Sequence, residues 1–108
     1  MIPGDRFKHC KGNDYIVLDV LPYSNEELVV YYNPSILNKV WLRPVKMFEE
    51  NHSSGKKRFT FLENNSSTIL EFLGMLGQYE NMKVVRAEHT ETAEIYFIDL
   101  LARQIAKL

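Results

Sequence analysis

The sequence predicts an α+β fold in which a small five-stranded β-barrel is followed by a helical segment. Two observations lead to this prediction. Up to residue 62, short runs of β-branched and aromatic residues alternate with Pro, Gly and Asn, as in strands joined by tight turns. From residue 63 onward, apolar residues recur at the spacing of amphipathic helices. We therefore expect a barrel at residues 1–62 and a helical tail at residues 63–108, which together form one cooperative domain.

Five strand candidates account for the barrel. Each ends at or before a turn signal, such as Gly12 after the first strand and Pro44 after the fourth. Closing such a short sheet into a barrel removes most of its exposed edges. Met47 and Phe48 are expected to plug the open end of the barrel. The candidates are residues 6–9, 15–21, 28–32, 40–43 and 58–62.

Two helices are predicted in the tail. Thr68 and Glu71 form a capping box in front of an apolar stripe, so the first helix begins there. Residues 82–87 are ambiguous and fit a strand better. A longer helix is expected to begin at Thr90 or Thr92, with an apolar surface broader than one barrel face requires. That surface predicts an interface with a second copy of the chain, formed by Tyr96, Phe97, Ile98, Leu101 and Ile105.

Charge and composition exclude several classes of function. The chain has 108 residues and a net charge of −1. Nine basic and seven acidic residues give the first part +2, whereas four basic and seven acidic residues give the tail −3. Nucleic-acid-binding domains usually present a strongly basic face, so the charge argues against nucleic acid. An apolar run of membrane length is missing and Cys10 has no second cysteine, so we expect a cytoplasmic protein without a membrane partner.

The sequence contains no pattern typical of a catalytic or metal site. The three histidines and Cys10 lack the spacing of zinc ligands, and the serines lack a nucleophile elbow. Lys8, His9 and Lys11 could favour a Cys10 thiolate, but a packing role is more common for a thiol on a short strand. We therefore predict no enzymatic activity, no metal and no cofactor.

Trp41 and Arg43 are the pair most typical of a binding site. On a strand these two side chains share a face, so an indole and a guanidinium stand side by side. Such a pair can stack on a planar group and bind an anion. In the alternative interpretation, Trp41 covers the end of the core and Arg43 pairs with Glu26, Glu27, Glu49 or Glu50.

Three sequence blocks occur in a fixed order within the first part of the chain. They read Phe-Lys-His-x-Lys-Gly-x-x-Tyr-x-Val-Leu at residues 7–18, Leu-Val-Val-Tyr at 28–31 and Trp-x-Arg-Pro-x-x-Met-Phe at 41–48. Across residues 3–61 the chain resembles a family of small bacterial and phage domains of unknown function. The resemblance implies an SH3-like β-barrel without an assigned activity. The matching positions are His9, Lys11, Gly12, Tyr15, Tyr31, Trp41, Arg43, Pro44 and Phe48.

The leading hypothesis is a non-enzymatic binding module of unknown ligand, with association into a homo-oligomer through the C-terminal helix. One alternative is that the protein, possibly phage-encoded, sequesters or cleaves a small nucleotide, including a defence signalling nucleotide. Another is direct inhibition of a host protein. The candidate ligand-binding residues are Trp41, Arg43, Tyr31, His9 and Lys11.

Overall fold

Strands dominate the computed structural model, which describes residues 1–36, 39–67 and 84–108. Its elements, in chain order, are β1 (Asp5–His9), β2 (Asp14–Tyr23), β3 (Glu26–Tyr32), β4 (Val40–Pro44), α1 (Val45–Glu49), β5 (Phe59–Asn64), β6 (Val84–His89), β7 (Ile95–Asp99) and β8 (Gln104–Lys107). The strands form one mixed sheet in the order β5-β1-β2-β3-β4-β6-β7-β8. Neighbours in the sheet are antiparallel except β4 and β6, which run parallel.

The first hairpin follows from its turn residues. Gly12 has a φ of 106°, a conformation that glycine adopts without a steric penalty. The backbone N–H of Gly12 donates to the carbonyl of His9 over 2.8 Å, which closes the turn. The turn sets the register that pairs Phe7 of β1 with Tyr15 of β2.

A β-bulge in β2 changes which of its residues face each side of the sheet. Val17 pairs with Tyr31 and Asp19 with Val30, so Leu18 is the extra residue. Because side chains alternate along a strand, the extra residue reverses the alternation beyond it.

The two faces of the sheet carry different hydrophobic cores. Alternation along β3 sends Leu28, Val30 and Tyr32 to one side, which is mainly aliphatic, and Val29 and Tyr31 to the other. The buried residues of the first side, called the aliphatic core, are Ile16, Leu18, Leu21, Leu28, Val30, Tyr32, Val40, Leu42, Val85, Ala87, Tyr96 and Ile98. The second side, called the aromatic face, consists of Phe7, Tyr15, Val17, Val20, Val29, Tyr31, Trp41, Val45, Phe48 and Phe59.

An ion pair joins β2 to the turn between β7 and β8. The side chain of Asp19 is 10% exposed, and it accepts from Arg103 Nε over 2.9 Å and from Arg103 Nη2 over 3.2 Å. Arg103 Nη2 also lies 3.3 Å from the carbonyl oxygen of Val20. Since Ile105 packs on the aliphatic core, the end of the chain folds back over β2.

The predicted five-stranded barrel is replaced by an open sheet, although all five predicted strands are present as β1 to β5. In the part of the chain that the structure describes, β5 and β8 are the two ends of the sheet and do not pair with each other. The sheet continues beyond β4 because the parallel strand β6 adds to that edge. The plug prediction corresponds to α1, whose Phe48 is buried while Met47 is partly exposed.

The prediction of a C-terminal helix, and with it the α+β class, is wrong because residues 95–107 form the hairpin β7–β8. Tyr96 and Ile98 point into the aliphatic core while Phe97 is exposed, which is strand alternation. The turn between β7 and β8 divides this segment into two strands, so a continuous helix does not form. Arg103 has a φ of 56°, and Asp99 Oδ1 accepts from the backbone N–H groups of Leu101 and Ala102.

Two other predictions for the tail have different outcomes. The strand expected at residues 82–87 is confirmed as β6, at Val84–His89. The helix expected from Thr68 lies in residues 68–83, outside the described residues.

The division of the chain at residue 62 stays a prediction, although strands from both sides of it share one sheet. Among the described residues, no helix has the length and apolar character needed to cross a membrane.

The strand assignment of the tail predicts unequal effects at two positions that a helix would place on one face. Ile98 is fully buried and Leu101 is 54% exposed. We expect Ile98→Ala to lower the free energy of unfolding by about 2–5 kcal/mol, because it leaves a cavity in the aliphatic core. Leu101→Ala should change it by less than about 0.5 kcal/mol. Urea unfolding of both variants measures the difference, and equal losses would contradict the hairpin.

Candidate functional site

Aromatic rings cross neighbouring strands of the aromatic face in one continuous band. Strand pairing sets Tyr31 of β3 opposite Trp41 of β4, and His9 of β1 opposite Phe59 of β5. The Tyr15 ring of β2 connects them, with centroids 5.5 Å from Tyr31 and 5.7 Å from Phe59. Edge contacts at these distances are favourable for aromatic pairs, so the rings hold one another in fixed positions.

Helix α1 closes one end of this band. Its Phe48 stacks on Phe59 of β5, with centroids 3.9 Å apart and planes within 3° of parallel. Phe48 also meets the edges of Phe7 and Tyr31. The segment Val45–Glu49 directly follows β4, so the helix fixes the position of the strand that carries the predicted binding pair.

Trp41 lies at the boundary between this packed band and solvent. Its ring is nearly parallel to Tyr31 at 6.1 Å and meets the edge of Tyr15 at 5.9 Å. Trp41 is only partly buried, whereas Tyr31 is 3% exposed. Lys39 Nζ lies 5.2 Å from the centroid of the indole, so a cation already contacts the ring.

Arg43 stands beside Trp41 and is anchored by the same band. Its Nε donates to the Tyr31 hydroxyl oxygen over 3.1 Å, and its guanidinium carbon lies 5.7 Å from the centroid of Phe59. Arg43 Nη1 is 3.9 Å from a Glu91 carboxylate oxygen, beyond hydrogen-bond distance. None of the acidic partners expected from the sequence, Glu26, Glu27, Glu49 or Glu50, forms an ion pair with Arg43 within the described chain.

The Tyr31 hydroxyl is buried against this guanidinium. Burial raises the pKa of the Tyr31 phenol, and the charge of Arg43 opposes that rise. The hydroxyl therefore keeps its proton at neutral pH, where its oxygen accepts from Arg43.

His9 brings a second polar group to the band. Its Nδ1 accepts from the backbone N–H of Lys11 over 3.1 Å, and its ring meets Phe59 at 5.0 Å and His52 at 5.7 Å. Burial lowers the pKa of His9, and the positive charges of His52, Arg43, Arg58 and Lys11 lower it further. The favoured form is thus a neutral imidazole with its proton on Nε2.

The structure brings together most of the predicted ligand-binding residues. Tyr31, Trp41, Arg43 and His9 share the aromatic face, and Lys11 occupies the adjoining β1–β2 turn, where its side chain is exposed. We find no cluster of three metal-ligating side chains in the residues that the structure describes.

The predicted interface residues do not form one surface. Tyr96 and Ile98 are buried in the aliphatic core, with Ile105 packed against it, so they are not available as the sequence predicted. Phe97 and Leu101 are exposed. Oligomerisation stays a prediction, but the helix surface that motivated it is absent because this segment is a hairpin.

Sequence reasoning missed four residues of the site. Tyr15 could have been predicted from the first hairpin, since its strand pairs with the strand that carries His9. Phe59 belongs to a predicted strand whose partner the sequence does not specify. Arg58 and His52 reach the site because the loop before β5 returns to β1, where the Cys10 N–H donates to the Arg58 carbonyl over 2.9 Å.

The lowered pKa of His9 predicts how stability depends on pH. The pKa is below the ordinary value of 6.5 in the folded state, so the unfolded chain binds more protons as the pH falls. His9 therefore contributes stability that is complete above pH 6.5 and is lost as the pH falls through the folded-state pKa. His9→Gln should flatten this part of the profile of unfolding free energy against pH, while Lys8→Gln should not. NMR titration of the His9 imidazole measures the shift directly, and a pKa at or above 6.5 would contradict it.

The part of the chain that carries this band matches a known family model. The model, described as "Protein of unknown function (DUF1653)", matches residues 5–61, which include β1 to β4, α1 and the start of β5. Neither a curated protein nor a solved structure matches the chain. Because the family model spans more than half of the 108 residues, the chain belongs to the DUF1653 family of proteins of unknown function.

Proposed function

We propose that the protein is a non-enzymatic binding module that takes a small planar ligand at Trp41 and Arg43. The observation that supports this most is the partial exposure of these two side chains beside a rigid, buried support. Their cross-strand partners, Tyr31 and Val29, are 3% and 0% exposed. A stacking surface and a cationic group are thus held in place before a ligand arrives, which lowers the entropy cost of binding.

The hydrogen bonds of Arg43 leave part of its guanidinium for a ligand. Nε donates to the Tyr31 oxygen, and among the described residues the carboxylate that forms an ion pair with Nη1 is that of Glu91, 3.9 Å away. A planar ligand on the indole would displace the Lys39 ammonium or place a negative group beside it. Lys39 and Arg43 therefore favour a ligand that combines an aromatic system with negative charge.

Two histidines contact a side chain that could act as a nucleophile. Cys10 Sγ lies 3.7 Å from His9 Nδ1, but this nitrogen already accepts from the Lys11 N–H. His52 Nδ1 contacts both Ser54 Oγ and the Ser54 N–H, so this pair is a local turn. Neither histidine nitrogen is free to act as a general base, which supports a binding role.

The nucleotide alternative shares the same surface, because a base and a phosphate suit an indole beside a guanidinium. If the protein cleaved a bound nucleotide, it would be an enzyme and not only a binding module. Two further proposals are binding to a host protein and a bacterial or phage origin. The Trp41–Arg43 surface gives no argument for either. A nucleotide is therefore the natural first probe of Trp41.

Removing the indole should weaken binding of an aromatic probe. We expect Trp41→Leu to weaken adenosine 5′-monophosphate by about tenfold, since stacking beside a cation contributes about 1 kcal/mol or more. Phe97→Leu is the matched control, because Phe97 is an aromatic residue exposed on β7, two strands away from the strand that carries the pair. Isothermal titration calorimetry measures both. Equal affinities of the two variants would place the ligand elsewhere, and chromatography of the incubated nucleotide tests for cleavage.

A further inference from the structure

Positive charge is concentrated at the His9 end of the aromatic face. The basic groups come from separate elements: Lys11 from the β1–β2 turn, Arg43 from β4, and His52 and Arg58 from the loop before β5. The charges of His52, Arg43, Arg58 and Lys11 all act on His9, and those of Arg43 and Arg58 also act on the Tyr31 phenol. The His9 and His52 rings are 5.7 Å apart, and both His9 and the Arg43 guanidinium contact the ring of Phe59, which directly follows Arg58, so these side chains lie close together.

Arg58 is the member of this group with a buried N–H group that lacks a hydrogen-bond acceptor in the described chain. Its Nε is buried and has no hydrogen-bond partner among the residues that the structure describes. The Arg58 backbone is fixed on both sides, since its N–H donates to Glu50 over 3.2 Å and its carbonyl accepts from Cys10 over 2.9 Å. A buried guanidinium N–H without an acceptor is costly, and within the described chain no carboxylate forms an ion pair with Arg58 that would offset this cost.

Within the described residues, carboxylates are scarce around these basic groups. Across residues 1–36, 39–67 and 84–108, no acidic side chain lies within 4.0 Å of Lys11, His52 or Arg58, and Arg43 has only Glu91 at 3.9 Å. Elsewhere the chain does pair its charges, as in Arg6 with Asp14 and Arg103 with Asp19. The uncompensated group is therefore a local feature of this end of the aromatic face.

We infer that Arg58, His9 and His52, together with Arg43, form a subsite for a phosphate group, so that the ligand is a phosphorylated aromatic compound. This inference rests on the proposed function and specifies its ligand class. Several separate cationic donors suit a doubly charged tetrahedral oxyanion better than one carboxylate, which a single guanidinium can satisfy. The indole of Trp41 lies beside Arg43 on β4, with Tyr15 between it and His9, and accommodates the planar part of the same molecule.

Protonation of His9 is coupled to occupation of this subsite. The charged groups that face His9 are cations, Lys11 on its own turn, His52 and Arg58 on the loop before β5, and Arg43 on β4. A bound phosphate offsets these charges, so it raises the pKa of His9 toward or above its ordinary value. By linkage, a given ionic form of phosphate binds more tightly when His9 is protonated.

Inorganic phosphate tests the subsite without the aromatic part of a ligand. NMR titration with phosphate, at constant ionic strength against chloride, should shift the His9 and His52 imidazole signals and raise the pKa of His9. Arg58→Gln should weaken phosphate by about tenfold, as expected for loss of a charge-assisted hydrogen bond. Lys8→Gln is the matched control, because it removes a positive charge from an exposed position on the opposite side of β1 and should change the affinity less than about twofold.

Further variants keep the test independent of folding and of the proposed function. His52→Gln and Arg58→Lys remove or displace donors without leaving a large cavity, and both should weaken phosphate while the melting temperature stays close to that of the parent. Trp41→Leu should retain binding of inorganic phosphate. Adenosine, which lacks the phosphate, tests the aromatic surface alone.

The outcomes separate the two proposals. Phosphate binding that depends on Arg58 supports the subsite, whether or not adenosine binds. Failure of adenosine to bind would count against the Trp41 surface. If adenosine binds through Trp41 but phosphate shifts neither histidine, the subsite is overturned and the binding surface stands. Equal weakening by Lys8→Gln and Arg58→Gln would also overturn it, because the attraction would then be non-specific.

Discussion

The bulge at Leu18 is the constraint on which both cores of this protein depend. Without the extra residue, the alternation of β2 would send Leu21 to the aromatic face and Val20 to the aliphatic core. The bulge also sets Asp19 opposite Val30, on the side where Arg103 closes over the strand. Because of this one inserted position, the ten-residue strand β2 contributes side chains to both hydrophobic surfaces and contacts the last hairpin through Asp19.

The aromatic face illustrates how backbone pairing assembles one continuous surface from distant parts of a chain. Rings from β1, β2, β3, β4 and β5 meet because each strand contributes its residues at matching register positions. Edge contacts and the Phe48–Phe59 stack lock this arrangement. The interior of the band is therefore rigid, while its margins, at Trp41 and at His9, are where polar and cationic groups accumulate.

The sequence was sufficient where local signals determine structure. Turn residues and β-branched runs predicted β1 to β5, and the alternation of Trp41 with Leu42 placed Arg43 beside the indole. It failed at residues 95–107 because Phe97, Leu101 and Ile105 satisfy helical spacing. The decisive interactions are long-range, since Ile98 is buried in the aliphatic core and Arg103 pairs with Asp19. Arg58 and His52 escaped prediction for the same reason, since only the fold brings their loop against β1.

The parallel pairing of β6 with β4 has a consequence for the family as a whole. A protein limited to the matched residues 5–61 would present the outer edge of β4, the strand of Trp41 and Arg43, with open backbone donors and acceptors. In this chain β6 covers that edge, and Glu91, just beyond β6, reaches toward Arg43. The C-terminal strands, which lie outside the family match, thus cover the edge of the strand that carries the proposed binding pair and place a carboxylate beside it.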